Sequence, residues 1–226
     1  MYLLPRRIRT FSEKYLSPEE RLSEILFGLI MVLTITSTTK IGLSEGEMGI
    51  RTMIFAAVGC NVAWGIVDGV MYVLEDMFTR ARYGGLVMNL KSLDEENEAF
   101  TAVEHELGPT ADLILDEVGK KRVYSEVIRS ASELQPEKAR VSRDDVFGGF
   151  ACFLLVFSST FPVLIPFIFV PNLGLATRIS NLVAIAMLFS VGHEQARYTN
   201  QNGLRTGLVM VIIGSAIVGV TVLLGG

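Results

Sequence analysis

An ionisable residue in the middle of a long apolar stretch constrains the fold of this chain most. The stretch runs over residues 52 to 77, and Asp68 lies within it. A helix that crosses a lipid bilayer needs about 20 residues, so this stretch is long enough. A carboxylate at bilayer depth costs about 2.5–3.5 kcal/mol on insertion scales, and chains that keep one there commonly use it on an ion or proton pathway. The alternative is a structural role, in which Asp68 is protonated or hydrogen-bonded to a neighbouring helix.

Polar and sulfur-bearing residues accompany Asp68 at helical spacing. Asn61 and Glu75 are each seven residues away, and at 3.6 residues per turn all three share one helix face. Met71 lies on the same stripe. The spacing therefore predicts a polar path along this helix, with Asp68 at its centre.

An earlier apolar stretch offers a second polar face. Met31 and Thr34 are three residues apart and so adjacent on a helix. Thioether and hydroxyl ligands opposite Asp68 would suit a dehydrated Fe2+ or Mn2+ ion better than Ca2+, which prefers oxygen ligands alone. In the alternative interpretation the hydroxyl simply hydrogen-bonds to its own helix backbone.

The distribution of charge predicts an all-α, polytopic membrane protein. Half of the residues are hydrophobic, and the charged residues collect near the N-terminus and between residues 76 and 145. The predicted parts are a cytoplasmic N-terminal segment (1–24) with a possible interfacial helix capped at Ser17, transmembrane helices 1 and 2 (25–77), a cytoplasmic acidic helical insert (78–145) and transmembrane helices 3 to 5 (146–226). The five predicted spans cover residues 25 to about 43, 52 to 77, 147 to 170, 179 to about 191, and 204 to 224.

Basic residues predict the orientation in the membrane. Lys and Arg are concentrated before the first span and on both sides of the insert, and cytoplasmic segments carry this excess. The N-terminus is therefore expected in the cytoplasm and the C-terminus on the far side after five crossings. In a bacterium the membrane would be the cell inner membrane.

Two prolines predict an irregular third span. Pro162 and Pro166 each lack a backbone donor, so the helix is expected to kink or unwind there and to expose carbonyl oxygens. Such broken helices line cavities in transporters. A simple packing kink is the alternative.

The insert is expected to form two or three amphipathic helices over residues 92 to 127. Ser92 is the expected cap of the first helix, Gly108 and Pro109 its end, and Thr110 the cap of the next. Acids on the polar side suggest a cluster that collects divalent metal, whereas an ordinary solvated face is the alternative. The candidate metal ligands are Glu95, Glu98, Glu106 and His105.

The arrangement of two spans, an acidic insert and three spans resembles the vacuolar iron transporter (VIT) family. Residues 153–167, FLLVFSSTFPVLIPF, are similar to the family's Pro-rich third helix. Residues 196–208, ARYTNQNGLRTGL, and the Gly-rich span after them are similar to its fourth-to-fifth connection and last helix. The resemblance implies a dimeric, proton-coupled exporter of Fe2+ or Mn2+ whose pore runs between the protomers.

The chain departs from the family pattern at two places. The family's first helix usually carries an Asp-Gly pair, whereas here the pair is Asp68-Gly69 in the second span. The family's insert has regularly spaced glutamates with methionines, but the only Met of this insert, Met88, precedes the glutamates.

These observations predict a divalent metal transporter that moves Fe2+ or Mn2+ out of the cytoplasm by proton exchange, as a homodimer in the lipid bilayer and without a permanently bound cofactor. The alternative is a non-transporting membrane scaffold or metal sensor that acts through its insert. An enzyme is not expected, because the two histidines are part of no HExxH pattern and no nucleophile has an evident base. A pI near 5.3 argues against nucleic acid as a partner.

Overall fold

The computed structural model describes residues 10–42, 47–93, 95–136 and 139–224, and within these ranges every regular element is an α-helix. Residues 1–9 of the predicted N-terminal segment, and position 43 at the end of the first predicted span, lie outside the described residues. The helices are α1 (Phe11–Tyr15), α2 (Pro18–Gly42), α3 (Glu47–Ser92), α4 (Glu96–Ile114), α5 (Glu117–Glu133), α6 (Arg143–Phe169), α7 (Leu173–Thr199) and α8 (Gly203–Leu223).

Four of the described helices are long and apolar enough to cross a membrane. They are the segments Gly49–Ser92, Arg143–Phe169, Leu173–Thr199 and Gly203–Val220. The second to fifth predicted spans lie on these helices, which confirms a helical membrane protein. The first predicted span lies on α2 as far as Gly42. Five crossings and a cytoplasmic insert remain predictions.

The start of α2 follows from its first four residues. The Ser17 backbone N–H donates to Glu20 Oε2 at 2.6 Å, and the Glu20 N–H donates to Ser17 Oγ at 3.2 Å. This reciprocal arrangement is a capping box, and Pro18 in the first helical position needs no donor. The cap predicted at Ser17 is confirmed.

The chain divides into two compact units. The bundle unit comprises Met1–Val73 and Arg143–Gly226, and the insert unit comprises Leu74–Ser142. The division falls inside α3, which remains helical past residue 77, where the apolar stretch ends. Asp68 therefore belongs to the bundle unit and Glu75 to the insert unit.

Apolar side chains and close backbone contacts hold the bundle unit together. Its core includes the fully buried Leu29 and Val32 of α2, Val163 of α6 and Leu188 of α7. In lipid, apolar burial drives helix association weakly, so tight packing contributes most. Gly28 illustrates this packing, because a Cβ at that position would collide with the Ser159 hydroxyl and the Val156 carbonyl.

Helix α6 is not unwound at its two prolines, so that part of the prediction is wrong. It is helical from Arg143 to Phe169 with Pro162 and Pro166 inside it. Between the prolines, the Val163 carbonyl accepts a hydrogen bond of 2.8 Å from Ser180 Oγ, which ties α6 to α7. Buried side chains flank the prolines, and this packing holds the helix together.

The predicted boundaries between the insert helices are also wrong. Ser92 ends α3 and donates to the Asn89 carbonyl at 2.8 Å instead of capping α4, which begins after Glu95. Helix α4 continues through Gly108 and Pro109 to Ile114, so Thr110 is not a cap.

A buried stripe explains why α4 continues. A proline inside a helix destabilises it by about 3 kcal/mol. Pro109 itself is exposed, but Val103 before it and Ala111 after it are buried. They pack in one cluster with Tyr124 and Ala131 of α5. If the helix ended at Gly108, Ala111 would leave this core, and the stabilisation from burying its apolar side chain would be lost. The next helix, α5, is capped by Asp116, whose carboxylate accepts from the Gly119 N–H at 2.8 Å.

Candidate functional site

Asp68 lies where α3 and α6 touch backbone to backbone. A Cβ added to the adjacent Gly69 would lie 2.5 Å from the Gly149 carbonyl oxygen, and a Cβ on Gly149 would lie 2.5 Å from the Gly69 carbonyl oxygen. Only glycine permits this approach at both positions. Asp68 itself is partly buried, and its Oδ2 is buried without a hydrogen-bond partner. A buried acceptor of this kind is costly unless a donor, a proton or a cation reaches it.

Two side chains from other helices approach Asp68. Glu24 of α2 lies within side-chain hydrogen-bonding range of the Asp68 carboxyl and of the Cys152 thiol of α6. Two carboxyl groups hydrogen-bond to each other only when one of them carries a proton. The bundle unit therefore contains a pair of carboxyl groups suited to hold one proton between them.

Glu24 is not among the predicted site residues, because position 24 falls in the predicted N-terminal segment. A signal was nevertheless available. Glu24 is seven residues before Met31, and Asp68 has the same spacing from Asn61 and from Glu75. Seven-residue spacing keeps side chains on one helix face, so Glu24 lies on the same face of α2 as Met31.

Asn61 is the most deeply buried of the predicted pathway residues. Its exposed fraction is 0%, and its Nδ2 donates to the Ala57 carbonyl of the preceding turn at 3.1 Å. Its Oδ1 is buried and has no hydrogen-bond partner. Asn61 thus offers a free acceptor inside the bundle unit.

The other predicted pathway residues are less enclosed. Met31 and Thr34 of α2 are half-buried. The Met71 side chain is 57% exposed and Glu75 is exposed, so neither is enclosed by its own chain. The bundle unit thus brings Glu24 and Cys152 to Asp68, whereas Met71 remains open to the surroundings.

In the insert unit a cleft brings three of the four predicted metal ligands together. Its volume is about 720 Å³, and Glu98, His105 and Glu106 of α4 line it together with Arg82 of α3. These three residues share one face of α4, since His105 is seven residues after Glu98. Glu95 precedes α4 and is not part of the cleft lining.

Arg82 already neutralises one of these acids. Its Nε lies 2.6 Å from Glu106 Oε2, and Glu106 Oε1 lies 3.8 Å from His105 Nδ1. A cation that binds Glu106 must therefore compete with a guanidinium. Glu98 is exposed and is the more accessible of the two carboxylates.

One lysine neutralises two further acids of the insert. Lys120 of α5 forms ion pairs with Asp112 of α4 and with Glu117. Hydrogen bonds to these two carboxylates raise the pKa of Lys120 well above its usual range. The insert is therefore less uniformly acidic in three dimensions than in sequence.

No ready-made metal centre is present in the described part of the chain. Within it, no group of three or more His, Cys, Asp or Glu side chains has an arrangement that could hold a metal ion. The Glu98, His105 and Glu106 side chains line one cleft without converging on a point. Any ion bound here would be held by fewer protein ligands or after a change in side-chain conformation.

The helices and the carboxyl pair together define an integral membrane protein, since four described helices can cross a bilayer and one of them carries Asp68. Residues 91–226 match the VIT family, which is more than half of the chain. The protein therefore belongs to the VIT family, a family of transporters, and membership indicates transport of metal ions across a membrane. No curated protein matches the chain.

Proposed function

We propose that this protein exports Fe2+ or Mn2+ from the cytoplasm across the membrane in exchange for protons. Membership of the VIT family supports metal-ion transport, and the acidic groups of both units support a divalent cation as cargo. The observation that carries the proposal is the buried Oδ2 of Asp68, which has no hydrogen-bond partner although it lies on a helix long enough to cross the membrane.

In the proposed mechanism Asp68 binds the ion or a proton within the membrane. Its proximity to Glu24 supports proton exchange, because two carboxyl groups within hydrogen-bonding range can share a proton that an arriving cation would displace. Met71 and Met31 supply soft ligands, and Asn61 and Thr34 supply oxygen ligands. Such a mixed set favours a transition metal over Ca2+.

The insert collects the ion in this proposal. Glu98, His105 and Glu106 line one cleft, and Glu95 lies just before the same helix. Glu75 is assigned to the cytoplasmic mouth from its seven-residue spacing to Asp68. The N-terminus then lies in the cytoplasm, as the basic residues indicate.

A homodimer completes the pathway in this proposal. Met71 is 57% exposed, and Val67 and Val70 beside it are 46% and 52% exposed. A soft metal ligand that faces away from its own chain needs a second copy to enclose an ion. Disulfide cross-linking between copies at position 71 tests this arrangement.

Flux measurements in proteoliposomes test the proposed transport. The full chain is reconstituted with a metal-sensitive dye and a pH dye inside, and Fe2+ or Mn2+ is added outside. Metal uptake should be accompanied by an opposite change in internal proton concentration. Asp68→Asn should reduce metal flux by at least about tenfold, because the amide keeps the shape of the side chain but loses the charge that offsets ion dehydration.

The matched control is Glu133→Gln, which removes one exposed carboxylate at the end of α5. It should transport like the unchanged protein. Equal flux for Asp68→Asn and the unchanged protein would exclude the assigned role of Asp68. Metal binding by the full chain without flux would favour the alternative function of a scaffold or sensor.

A further inference from the structure

The turn between α4 and α5 exposes large apolar side chains that the core of the insert unit does not cover. Leu113 and Ile114 at the end of α4 are 83% and 73% exposed, and Val118 in the first turn of α5 is 66% exposed. We call these three side chains the hairpin tip. A contiguous exposed apolar patch commonly marks an interaction surface.

Ile114 belongs to the same stripe of α4 as the residues of the insert core. Val103, Leu107 and Ala111 follow one another at four-residue spacing, and Ile114 comes three residues after Ala111. Val103 and Ala111 are buried and Leu107 packs against them, whereas Ile114 is exposed. The apolar face of α4 therefore extends beyond the core of its own unit.

The pairing of α3 with α4 shows at which level of α3 the hairpin tip lies. The two helices run antiparallel, because α4 follows α3 after a short connection and both line one cleft. Arg82 of α3 reaches Glu106 of α4 across this cleft at 2.6 Å. Ile114 is eight residues after Glu106, and Leu74 is eight residues before Arg82. Both steps are about 12 Å along the helix axis, so the tip returns to the level of Leu74.

The surface of the membrane is expected at this same level of α3. The apolar stretch of α3 ends at residue 77, and Glu75 and Asp76 are the first acids after Asp68. Ionisable side chains return where a spanning helix leaves the hydrocarbon, so the lipid headgroups are expected near residues 74–77. Lipid is therefore a partner that is present at the level of the hairpin tip in every copy of the protein.

Two cations beside Val118 complement an anionic membrane surface. Lys121 and Arg122 follow Val118 by three and four residues, so the three side chains share one face of α5. Both cations are exposed, and neither side chain forms an ion pair among the residues that the structure describes. Two acids that flank the tip are already paired with Lys120, and the third, Asp116, caps α5. Cations next to an apolar patch are typical of segments that lie on a membrane with anionic lipids.

We infer that the hairpin tip docks on the surface of the membrane that α3 crosses. Leu113, Ile114 and Val118 enter the boundary between headgroups and acyl chains, and Lys121 and Arg122 contact anionic headgroup phosphates. The bilayer then covers the apolar face that the insert core leaves open. This inference is independent of transport, because it depends on the membrane crossing of α3 and on no bound ion.

Fluorescence quenching of the full chain in lipid nanodiscs tests the inference. In a chain without Cys60 and Cys152, Ile114→Cys is labelled with the environment-sensitive dye NBD, and the discs contain lipid with a nitroxide on the acyl chain near the headgroup. In phosphatidylcholine with about 30% phosphatidylglycerol, the dye should be quenched and its emission shifted to the blue. Leu134→Cys is the matched control, because Leu134 is also an exposed apolar residue of the insert unit but follows the opposite end of α5. It lies about 24 Å further along the helix than Val118, so a dye there should be quenched at least about threefold less.

Two double variants test the residues of the contact. Lys121→Gln with Arg122→Gln should lower the quenching at position 114 to its value in phosphatidylcholine alone. Leu113→Ser with Val118→Ser should abolish the quenching, and because both side chains are exposed, the helical circular dichroism should not change.

Three outcomes would overturn the inference. The first is equal quenching at positions 114 and 134, or none at 114. The second is quenching at 114 that neither double variant changes. The third is a blue shift at 114 without quenching by the nitroxide lipid, which would mean that protein, such as a second copy of the chain, covers the hairpin tip.

Discussion

At the scale of single residues, Asp68 owes its surroundings to the glycine that follows it. The reciprocal contact between Gly69 and Gly149 brings α3 and α6 together beside the carboxylate. Cys152, one turn further along α6, then interacts with Glu24. The side chains of Asp68, Glu24 and Cys152 can therefore come together only because small residues lie at the contact. Small residues commonly allow such close packing between membrane helices.

Replacing Gly69 by alanine should destabilise the bundle. The new Cβ would lie 2.5 Å from a backbone oxygen that cannot turn aside, so the two helices must separate. We expect a loss of about 1–3 kcal/mol, as for other overpacked sites, measured as a lower midpoint of thermal unfolding in detergent. Gly59→Ala is the matched control, because no atom lies within 4 Å of its added Cβ. There the better helix propensity of alanine should leave the midpoint unchanged or slightly raised. Equal midpoints for the two variants would contradict the contact.

Removing Arg82 should strengthen metal binding by the insert if its cleft collects the ion. The Arg82 side chain is 62% exposed, and its Nε lies 2.6 Å from Glu106 Oε2. Arg82→Gln therefore frees the Glu106 carboxylate with little loss of folding stability. Because exposed ion pairs contribute up to about 1 kcal/mol, we expect a two- to fivefold gain in Mn2+ affinity. Isothermal titration of the full chain measures it. The control is Arg129→Gln, whose pair with Glu126 lies outside the cleft. A loss of affinity in Arg82→Gln would argue against the insert as the collecting site.

At the scale of helices, the sequence predicted the presence of each long element better than its ends. The apolar stretches lie on α3, α6, α7 and α8. The polar cap at Ser17 was predicted because both of its partners are within four residues. Local hydrogen bonding and local hydropathy depend little on the rest of the fold.

The errors at this scale all concern prolines and caps whose effect depends on packing. Pro109, Pro162 and Pro166 lie inside helices because side chains around them belong to the cores of their units. Ser92 prefers a bond to Asn89 at the end of α3. Proline limits a helix only when no tertiary contact outweighs the lost hydrogen bond.

At the scale of the whole molecule, the number of crossings decides the position of the C-terminus. Four described helices can span the membrane, and α2 would provide the fifth crossing. With a cytoplasmic N-terminus, alkaline phosphatase fused after Gly226 should be active and green fluorescent protein fused there should be dark. The same reporters fused before Met1 should show the opposite pattern. An active fluorescent protein at both ends would mean an even number of crossings and would exclude α2 as a span in this orientation.

The proposed dimer also belongs to this scale. In a chain without Cys60 and Cys152, the only cysteines, Met71→Cys should form a cross-linked dimer under mild oxidation in membranes. Ile212→Cys on α8 is the matched control, because its 66% exposure is similar to that of Met71 but it lies outside the proposed pathway. Cross-linking at position 212 and not at 71 would place any dimer contact elsewhere.

The sequence by itself determined that this protein is helical, that it belongs in a membrane and that Asp68 is its most unusual residue. These conclusions depend on the cost of placing backbone and charge in lipid, which local composition fixes. Only the tertiary structure decided that Glu24 meets Asp68, that Arg82 occupies Glu106 and that the hairpin tip is left uncovered. Which faces of distant helices touch depends on the packing of all side chains at once, and no spacing within one helix contains that information.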